Sequence, residues 1–180
     1  MGIPENPSSP APVVVRLAAY SKTDQAEILG SGDDPFGIAF TGLTWLPKDE
    51  HFAVRHEGRL VAHAGLLRLP VAIGEARTEV IGVGGVAVAP DMQGRGLARL
   101  VVTAALEHAR TMGPRHALLF CRPPLVPLYA RLGWHPLDGD VLVGQPEGRL
   151  ATMPLRTMVT PLHNGDHWPA GPVRLLSLPM

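Results

Sequence analysis

The sequence is poor in cysteine and has no excess of charge of either sign. Its 180 residues include a single cysteine, Cys121, and sixteen basic side chains balanced by sixteen acidic ones. One cysteine excludes an intrachain disulfide framework and favours a reducing compartment. Zero net charge without a basic cluster argues against a nucleic-acid partner. Because the N-terminus lacks a basic segment and a long apolar segment, we expect a cytoplasmic protein with no membrane partner.

The apolar content, 46% of the chain, is sufficient for one hydrophobic core, and the length is short for two domains. We expect the proline-rich residues 1–12 to be a disordered leader. Residues 13–158 are expected to form the domain, and residues 159–180 to pack on it as a C-terminal tail. The partner is expected to be a small molecule, and a homodimer is left open.

One segment carries a specific chemical signal. The apolar residues 86–88 lead into a glycine-rich turn at residues 93–96, and an amphipathic helix follows from Leu97. Gly94 and Gly96 allow consecutive backbone N–H groups to point into one small volume, and the N-terminus of the helix adds partial positive charge. This arrangement predicts a binding site for a pyrophosphate.

Two motifs, in this order, resemble signatures of the GCN5-related N-acetyltransferase family. Residues 93–98, Gln-x-x-Gly-x-Ala, are similar to the family's cofactor signature. Residues 128–134, Leu-Tyr-Ala-Arg-Leu-Gly-Trp, are similar to its second signature, on the helix after the next strand. The resemblance spans residues 50–156. Within the family, residues 61–67 and 166–173 resemble the aminoglycoside 2'-N-acetyltransferase and nodulation acyltransferase branch.

The resemblance implies an α/β fold of mixed α+β type. We expect a central twisted mixed sheet of about seven strands, flanked by about four helices, with a V-shaped split between two parallel strands. The local patterns predict a helix that is capped within residues 24–27 and ends at Gly30. They also suggest a short helix within residues 31–49 and a last strand over residues 150–158.

The resemblance also implies acetyl-CoA as co-substrate. The strand edge before the turn would pair with the pantetheine arm, and the turn would hold the pyrophosphate through backbone amides. The implied cofactor-binding residues are Val86, Ala87, Val88, Gln93, Gly94, Arg95, Gly96, Leu97 and Ala98. Arg95 or Arg99 could add positive charge.

The resemblance assigns Tyr129 as the general acid toward the departing thiolate. The base is open, because relatives carry a glutamate at the position that aligns with Gly84. A protonated amine has no lone pair, so some group must accept its proton before attack. The candidates are His63, which alternates within an apolar strand and could instead be a core histidine, the α-carboxylate of Met180, and solvent.

The expected reaction is acetyl transfer to a primary amine of a small molecule, such as an aminoglycoside or amino sugar, by direct attack in a ternary complex. An aminoglycoside site needs carboxylates, for which Asp33, Asp34 and Asp166 are candidates, although each also suits a turn. The alternatives are a longer acyl chain as the transferred group, or a catalytically silent acyl-CoA-binding sensor. No metal is expected, because a turn dipeptide separates His163 from His167.

Overall fold

The computed structural model describes residues 9–180. Residues 1–8, most of the expected leader, lie outside the described part of the chain. Residues 9–12 are exposed and have no regular secondary structure. Within residues 9–180, none of the helices combines the length and the apolar character needed to cross a bilayer.

Ten strands and three α-helices follow one another along the described residues. The strands are β1 (Val13–Leu17), β2 (Glu50–His56), β3 (Arg59–Ile73), β4 (Ala76–Val88), β5 (His116–Cys121), β6 (His135–Pro136), β7 (Val141–Gly144), β8 (Leu150–Thr152), β9 (Arg156–Pro161) and β10 (Val173–Leu175). The α-helices are α1 (Lys22–Leu29), α2 (Leu97–Ala109) and α3 (Val126–Arg131).

The strands form one mixed sheet around the long hairpin of β3 and β4. Its order is β6-β9-β5-β4-β3-β10-β7-β8, and β2 pairs with both β1 and β3. The pairs β4/β5 and β10/β7 are parallel. The hairpin of β2 and β3 turns at Glu57 and Gly58, whose φ angles of 50° and 79° suit a two-residue hairpin loop. The expected mixed α+β architecture is confirmed.

The sheet splits between β4 and β5. These strands pair only at Ile81 with Ala117 and at Gly82 with Leu118. Beyond Gly82, no described strand pairs with β4 on the β5 side, so that edge is free as far as Val88. The split creates a gap that opens toward the C-terminal ends of both strands.

β4 also has a bulge in the free stretch. His63 and Gly65 of β3 pair with Ala87 and Gly84 of β4, so β4 has one additional residue between the two pairs. Gly85 lies within this stretch and has a φ of 60°, which suits a glycine. A bulge bends the strand and changes the direction of the groups along its edge.

Several predicted boundaries are corrected by the structure. The cap of α1 is Ser21: its hydroxyl accepts from the Asp24 N–H at 3.1 Å, and the Asp24 carboxylate accepts from the Ser21 N–H at 2.7 Å. Asp24 is therefore the third helical residue of a capping box. The suggested helix within residues 31–49 is a single 3-10 turn, Ala39–Thr41. The expected strand over residues 150–158 is interrupted between β8 and β9.

The segment expected as a tail takes part in the sheet. β9 continues to Pro161, and β10, Val173–Leu175, lies between β3 and β7, antiparallel to the first and parallel to the second. These short additions raise the strand number above the seven expected. Four 3-10 turns accompany the three α-helices, and they lie at Ala39–Thr41, Pro90–Met92, Pro123–Leu125 and Pro146–Gly148.

Candidate active site

A cleft of about 460 Å³ lies beside the end of β4 and the start of α2. Of the residues predicted to bind the co-substrate, it is lined by Val86, Ala87, Val88, Gln93, Gly94, Gly96, Leu97 and Ala98. Arg95 is outside this lining, whereas Arg99 is part of it. The cleft therefore joins the free strand edge to the glycine turn.

The glycine turn leaves room for an anion at the N-terminus of α2. Gly94 and Gly96 have φ angles of 77° and 75°, which residues with a Cβ rarely adopt. Apart from the glycine itself and its two chain neighbours, no described heavy atom lies within 4 Å of a Cβ built on either glycine, and no described side chain caps α2. The first N–H groups of α2 are therefore free to bind a phosphate. The turn fits the pyrophosphate of CoA.

The strand edge fits the other half of that molecule. Val88 and Ala87 pair with Ala62 and His63 of β3 on one side. On the β5 side, the backbone groups beyond Gly82 have no partner strand among the described residues. An extended chain with amide groups can pair with such an edge, and the pantetheine arm of CoA is a chain of this kind.

A second cavity, of about 270 Å³, adjoins the cleft between β4 and β5. The residues that line both spaces are Phe36, Val86, Arg122, Leu125 and Tyr129. Tyr129, on α3, therefore lies where the cleft meets the second cavity.

Tyr129 is held by packing and remains a proton donor. Its side chain is 5% exposed, and its ring meets Trp134 edge-on, with 6.2 Å between the ring centroids. Burial raises the pKa of the Tyr129 hydroxyl, and the nearby Cys121 raises it further. The phenol therefore stays protonated at neutral pH.

The second cavity is mainly apolar. Its aromatic and aliphatic lining consists of Phe36, Ile38, Trp45, Val83, Val86, Leu119, Phe120, Leu125, Leu155 and Met180. Its charged side chains are Lys48 and Arg122, and no aspartate or glutamate of residues 9–180 lines it. Cys121 also lines the cavity, but burial raises the pKa of its thiol to about 11, so it is not a thiolate nucleophile at neutral pH.

Gly84, the position at which the family resemblance implies a glutamate, faces Lys48 and Met180. A Cβ built on Gly84 would lie 2.7 Å from Lys48 Cε, 3.3 Å from Lys48 Nζ and 3.5 Å from the main-chain carbonyl carbon of Met180. The lysine thus occupies the space of the missing side chain. Burial lowers the pKa of Lys48. Our sequence reasoning missed this residue, although it is one of only two lysines and precedes an apolar strand.

His63 lies behind the bulge and is engaged at both ring nitrogens. Its Nδ1–H donates to the Gly85 carbonyl oxygen at 2.7 Å, so its Nε2 accepts from His51 Nδ1–H at 3.0 Å. Tyr20 stacks on the ring, with centroids 3.6 Å apart. The ring is 1% exposed, and burial lowers its pKa to about 4. These contacts favour a neutral core histidine over a base.

The three candidate acidic residues lie outside the second cavity. The Asp34 carboxylate accepts from the Ile38 and Ala39 N–H groups at 2.9 and 3.1 Å, so it holds its own loop. Asp33 is exposed beside it, and Asp166 lies 3.7 Å from Arg115. Among the residues that the structure describes, no group of three or more metal-ligating side chains is found.

Comparisons with known proteins address the family and the fold of the chain. A family model described as an acetyltransferase (GNAT) domain matches residues 30–137, more than half of the chain. A search of curated proteins gives no match.

Solved structures share the fold at low identity. A GNAT family N-acetyltransferase from Escherichia coli in complex with CoA is 17% identical, with a TM-score of 0.58 over 94% of this chain and 93% of that one. A GNAT family acetyltransferase from Brucella melitensis in complex with acetyl-CoA is 19% identical, with a TM-score of 0.51 over 89% and 94%. A GCN5-related N-acetyltransferase from Kribbella flavida is 21% identical, with a TM-score of 0.50, and the match covers 69% of this chain and 34% of that protein.

Proposed function

Because the chain belongs to the GNAT acetyltransferase family, we propose that it moves the acetyl group of acetyl-CoA to the primary amine of a small molecule. The observation that carries the proposal is the position of Tyr129 between a cleft that fits CoA and a cavity that can hold an acceptor. Both substrates would be bound together, and the neutral amine would attack the thioester directly. The aminoglycoside branch remains a prediction.

The chain's part in binding acetyl-CoA follows from the cleft. Residues 86–88 would pair with the pantetheine arm through their backbone, and residues 93–98 would hold the pyrophosphate through N–H groups at the start of α2. The co-substrate supplies an activated acyl group. Arg99, which lines the cleft, is the arginine that we favour for added positive charge near the phosphates.

Tyr129 would act on the departing sulfur. Its hydroxyl is a hydrogen-bond donor at neutral pH, since burial raises its pKa. The reference pKa is about 10 for a phenol and about 8.5 for a thiol, so complete proton transfer to the thiolate is already unfavourable before burial adds to the difference. The proposed role is therefore a hydrogen bond to charge that develops in the transition state.

The amine must lose its proton before attack. An apolar cavity favours the neutral form of an amine, and a nearby cation such as Lys48 favours it as well. His63 is a weak candidate for the group that accepts the proton, because both of its ring nitrogens are engaged in hydrogen bonds. The Met180 carboxylate stays a candidate because its main chain lies beside Gly84, and solvent is the simplest alternative.

The test is release of the CoA thiol by the purified full-length chain with acetyl-CoA and a panel of primary amines. We expect at least one amine to raise the rate above that without an amine. Release with decanoyl-CoA but not acetyl-CoA would indicate a longer acyl group. Binding of acetyl-CoA without amine-dependent release from either thioester would indicate a silent binding module. The buried Cys121 thiol should contribute little background to a thiol reagent.

A further inference from the structure

The second cavity contains a cation, Lys48, and no aspartate or glutamate among the described residues lines the cavity. We propose that the Lys48 ammonium binds a carboxylate of the acceptor, so that the acceptor is a small amine with an apolar body and a carboxylate close to the amine. A hydrophobic α-amino acid is the simplest compound of this class. The inference rests on the proposed function, because it describes the acceptor for that reaction.

The position of Lys48 is built into two neighbouring strands. A Cβ on Gly65 of β3 would lie 2.6 Å from Lys48 Cγ, and a Cβ on Gly84 of β4 would lie 2.7 Å from Lys48 Cε. Real Cβ atoms do not approach other heavy atoms so closely. Both glycines therefore make room for the lysine stem, which leads the ammonium to the wall of the cavity.

No described side chain forms an ion pair with the ammonium. The α-carboxylate of Met180 is an anionic group close to it, because the Met180 carbonyl carbon and Lys48 Nζ lie 3.5 and 3.3 Å from the same built Cβ on Gly84. Burial lowers the pKa of Lys48. A buried cation without a partner is destabilising. A carboxylate that arrives with the acceptor would supply charge-assisted hydrogen bonds at this point.

The rest of the cavity selects the body of the acceptor. Phe36, Trp45 and Phe120 give it aromatic walls, which suit an apolar or aromatic group. Its volume of about 270 Å³ is small for a ligand pocket. An aminoglycoside would bring several ammonium groups to a cavity whose charged side chains are Lys48 and Arg122, so like charges would oppose it.

The distance along β4 suits a compact acceptor. Gly84, which lies against Lys48, precedes Val86 by two residues, and because the bulge at Gly85 lies between them they are at most about 7 Å apart. The thioester is proposed to lie near Val86 and Tyr129. A carboxylate a few bonds away from the reacting nitrogen can therefore reach the lysine while the nitrogen lies near the thioester.

Binding is the primary test, because it does not require turnover. L-phenylalanine, L-leucine and L-methionine would each be titrated by calorimetry into the CoA-loaded full-length chain. Phenethylamine, which is phenylalanine without its carboxylate, would be the matched ligand. Lys48→Met keeps the apolar stem that packs on the two glycines, and Lys22→Met, the chain's other and exposed lysine, is the matched variant. Thermal unfolding would verify that both variants fold.

We expect at least one amino acid to bind and Lys48→Met to weaken that binding about 10- to 100-fold, as for the loss of a charged hydrogen bond. Lys22→Met should have no effect, and phenethylamine, which has no carboxylate, should bind Lys48→Met at least as tightly as wild type. In thiol release, kcat/KM should show the same dependence. The inference is overturned if none of the three amino acids binds. It is also overturned if Lys48→Met binds them as tightly as wild type does, which is the result expected if Lys48 is already paired with the Met180 carboxylate. Lysine-dependent binding without thiol release would overturn the proposed function, and with it the identification of the bound amino acid as the acceptor, while Lys48 would remain the site that binds its carboxylate.

Discussion

Replacing Tyr129 with phenylalanine tests the proposed chemistry most directly. The substitution removes one hydroxyl and keeps the ring that packs edge-on against Trp134. The hydroxyl is proposed to act only on charge that develops during the reaction. We therefore expect Tyr129→Phe to lower kcat and to leave the affinity for acetyl-CoA nearly unchanged.

The expected loss of kcat depends on whether the Tyr129 hydroxyl transfers its proton or only donates a hydrogen bond. A positioned general acid that transfers its proton contributes about 10²- to 10⁴-fold. A hydrogen bond to a charged group contributes about 1.5 to 3 kcal/mol, which corresponds to about 10- to 150-fold. Because burial raises the pKa of Tyr129 still further above that of a thiol, complete proton transfer is disfavoured. The smaller range is therefore the expected one.

The assay compares kcat from thiol release with the acetyl-CoA Kd from calorimetry. The chain's other tyrosine supplies the control: the Tyr20 hydroxyl is buried without a hydrogen-bond partner among the described residues, so Tyr20→Phe should not lower kcat. A kcat for Tyr129→Phe within about threefold of wild type, with the fold intact, would refute the assigned role. An equal loss in Tyr20→Phe would point to a structural effect.

Three further changes have defined outcomes. Gly96→Glu should abolish CoA binding in calorimetry by placing a carboxylate at the phosphate site. Gly96→Ala has the same backbone strain without the charge and should bind CoA more tightly than Gly96→Glu. Equal losses of CoA affinity in the two variants would refute the charge argument. Because the folded-state pKa of His63 is lowered to about 4, the unfolded chain binds a proton near pH 6.5 and the folded chain does not. The free energy of unfolding should therefore fall by up to about 3 kcal/mol as pH is lowered from about 6.5 to 4. In chemical denaturation, His63→Asn should make this fall smaller. The same dependence of unfolding free energy on pH in wild type and His63→Asn would contradict the prediction. Asp34→Asn should lower Tm, because an NH2 donor replaces one of the two carboxylate oxygens that accept from the Ile38 and Ala39 N–H groups. It should leave the KM of the acceptor substrate unchanged, and Asp33→Asn should alter neither quantity. A raised KM in either variant would support the acidic-site hypothesis.

The features that sequence could predict are those that local patterns determine. A glycine turn followed by an amphipathic helix is recognisable within a dozen residues, and the cleft at residues 93–98 lies where that pattern indicated. The helix that carries Tyr129 is similarly local. The order of the elements matched a mixed sheet. The split was implied by the family resemblance alone, and β4 and β5 do part beyond Gly82.

Lys48 was missed because its role depends on distant residues. Nothing near it in the sequence indicates that Gly65 and Gly84 leave space for its side chain. β10 was missed for a similar reason, since a three-residue strand has too few positions for an alternating pattern. His63, in contrast, was singled out from the sequence, but its role was not settled there. Its isolation in an apolar strand allowed two interpretations, and only the partners at Gly85 and His51 distinguish between them.

The position of β10 has a consequence for how the chain folds. Along the sheet, β7 and β8 are joined to β3 through β10, and Val173 pairs with Ile73, a hundred residues earlier. Such a contact closes a long loop, so it forms late and slowly. During synthesis, β7 and β8 would therefore remain unattached to the main sheet until β10 has left the ribosome. Met180 adds its part of the cavity wall later still, so a nascent chain could complete its CoA cleft before it has an acceptor cavity.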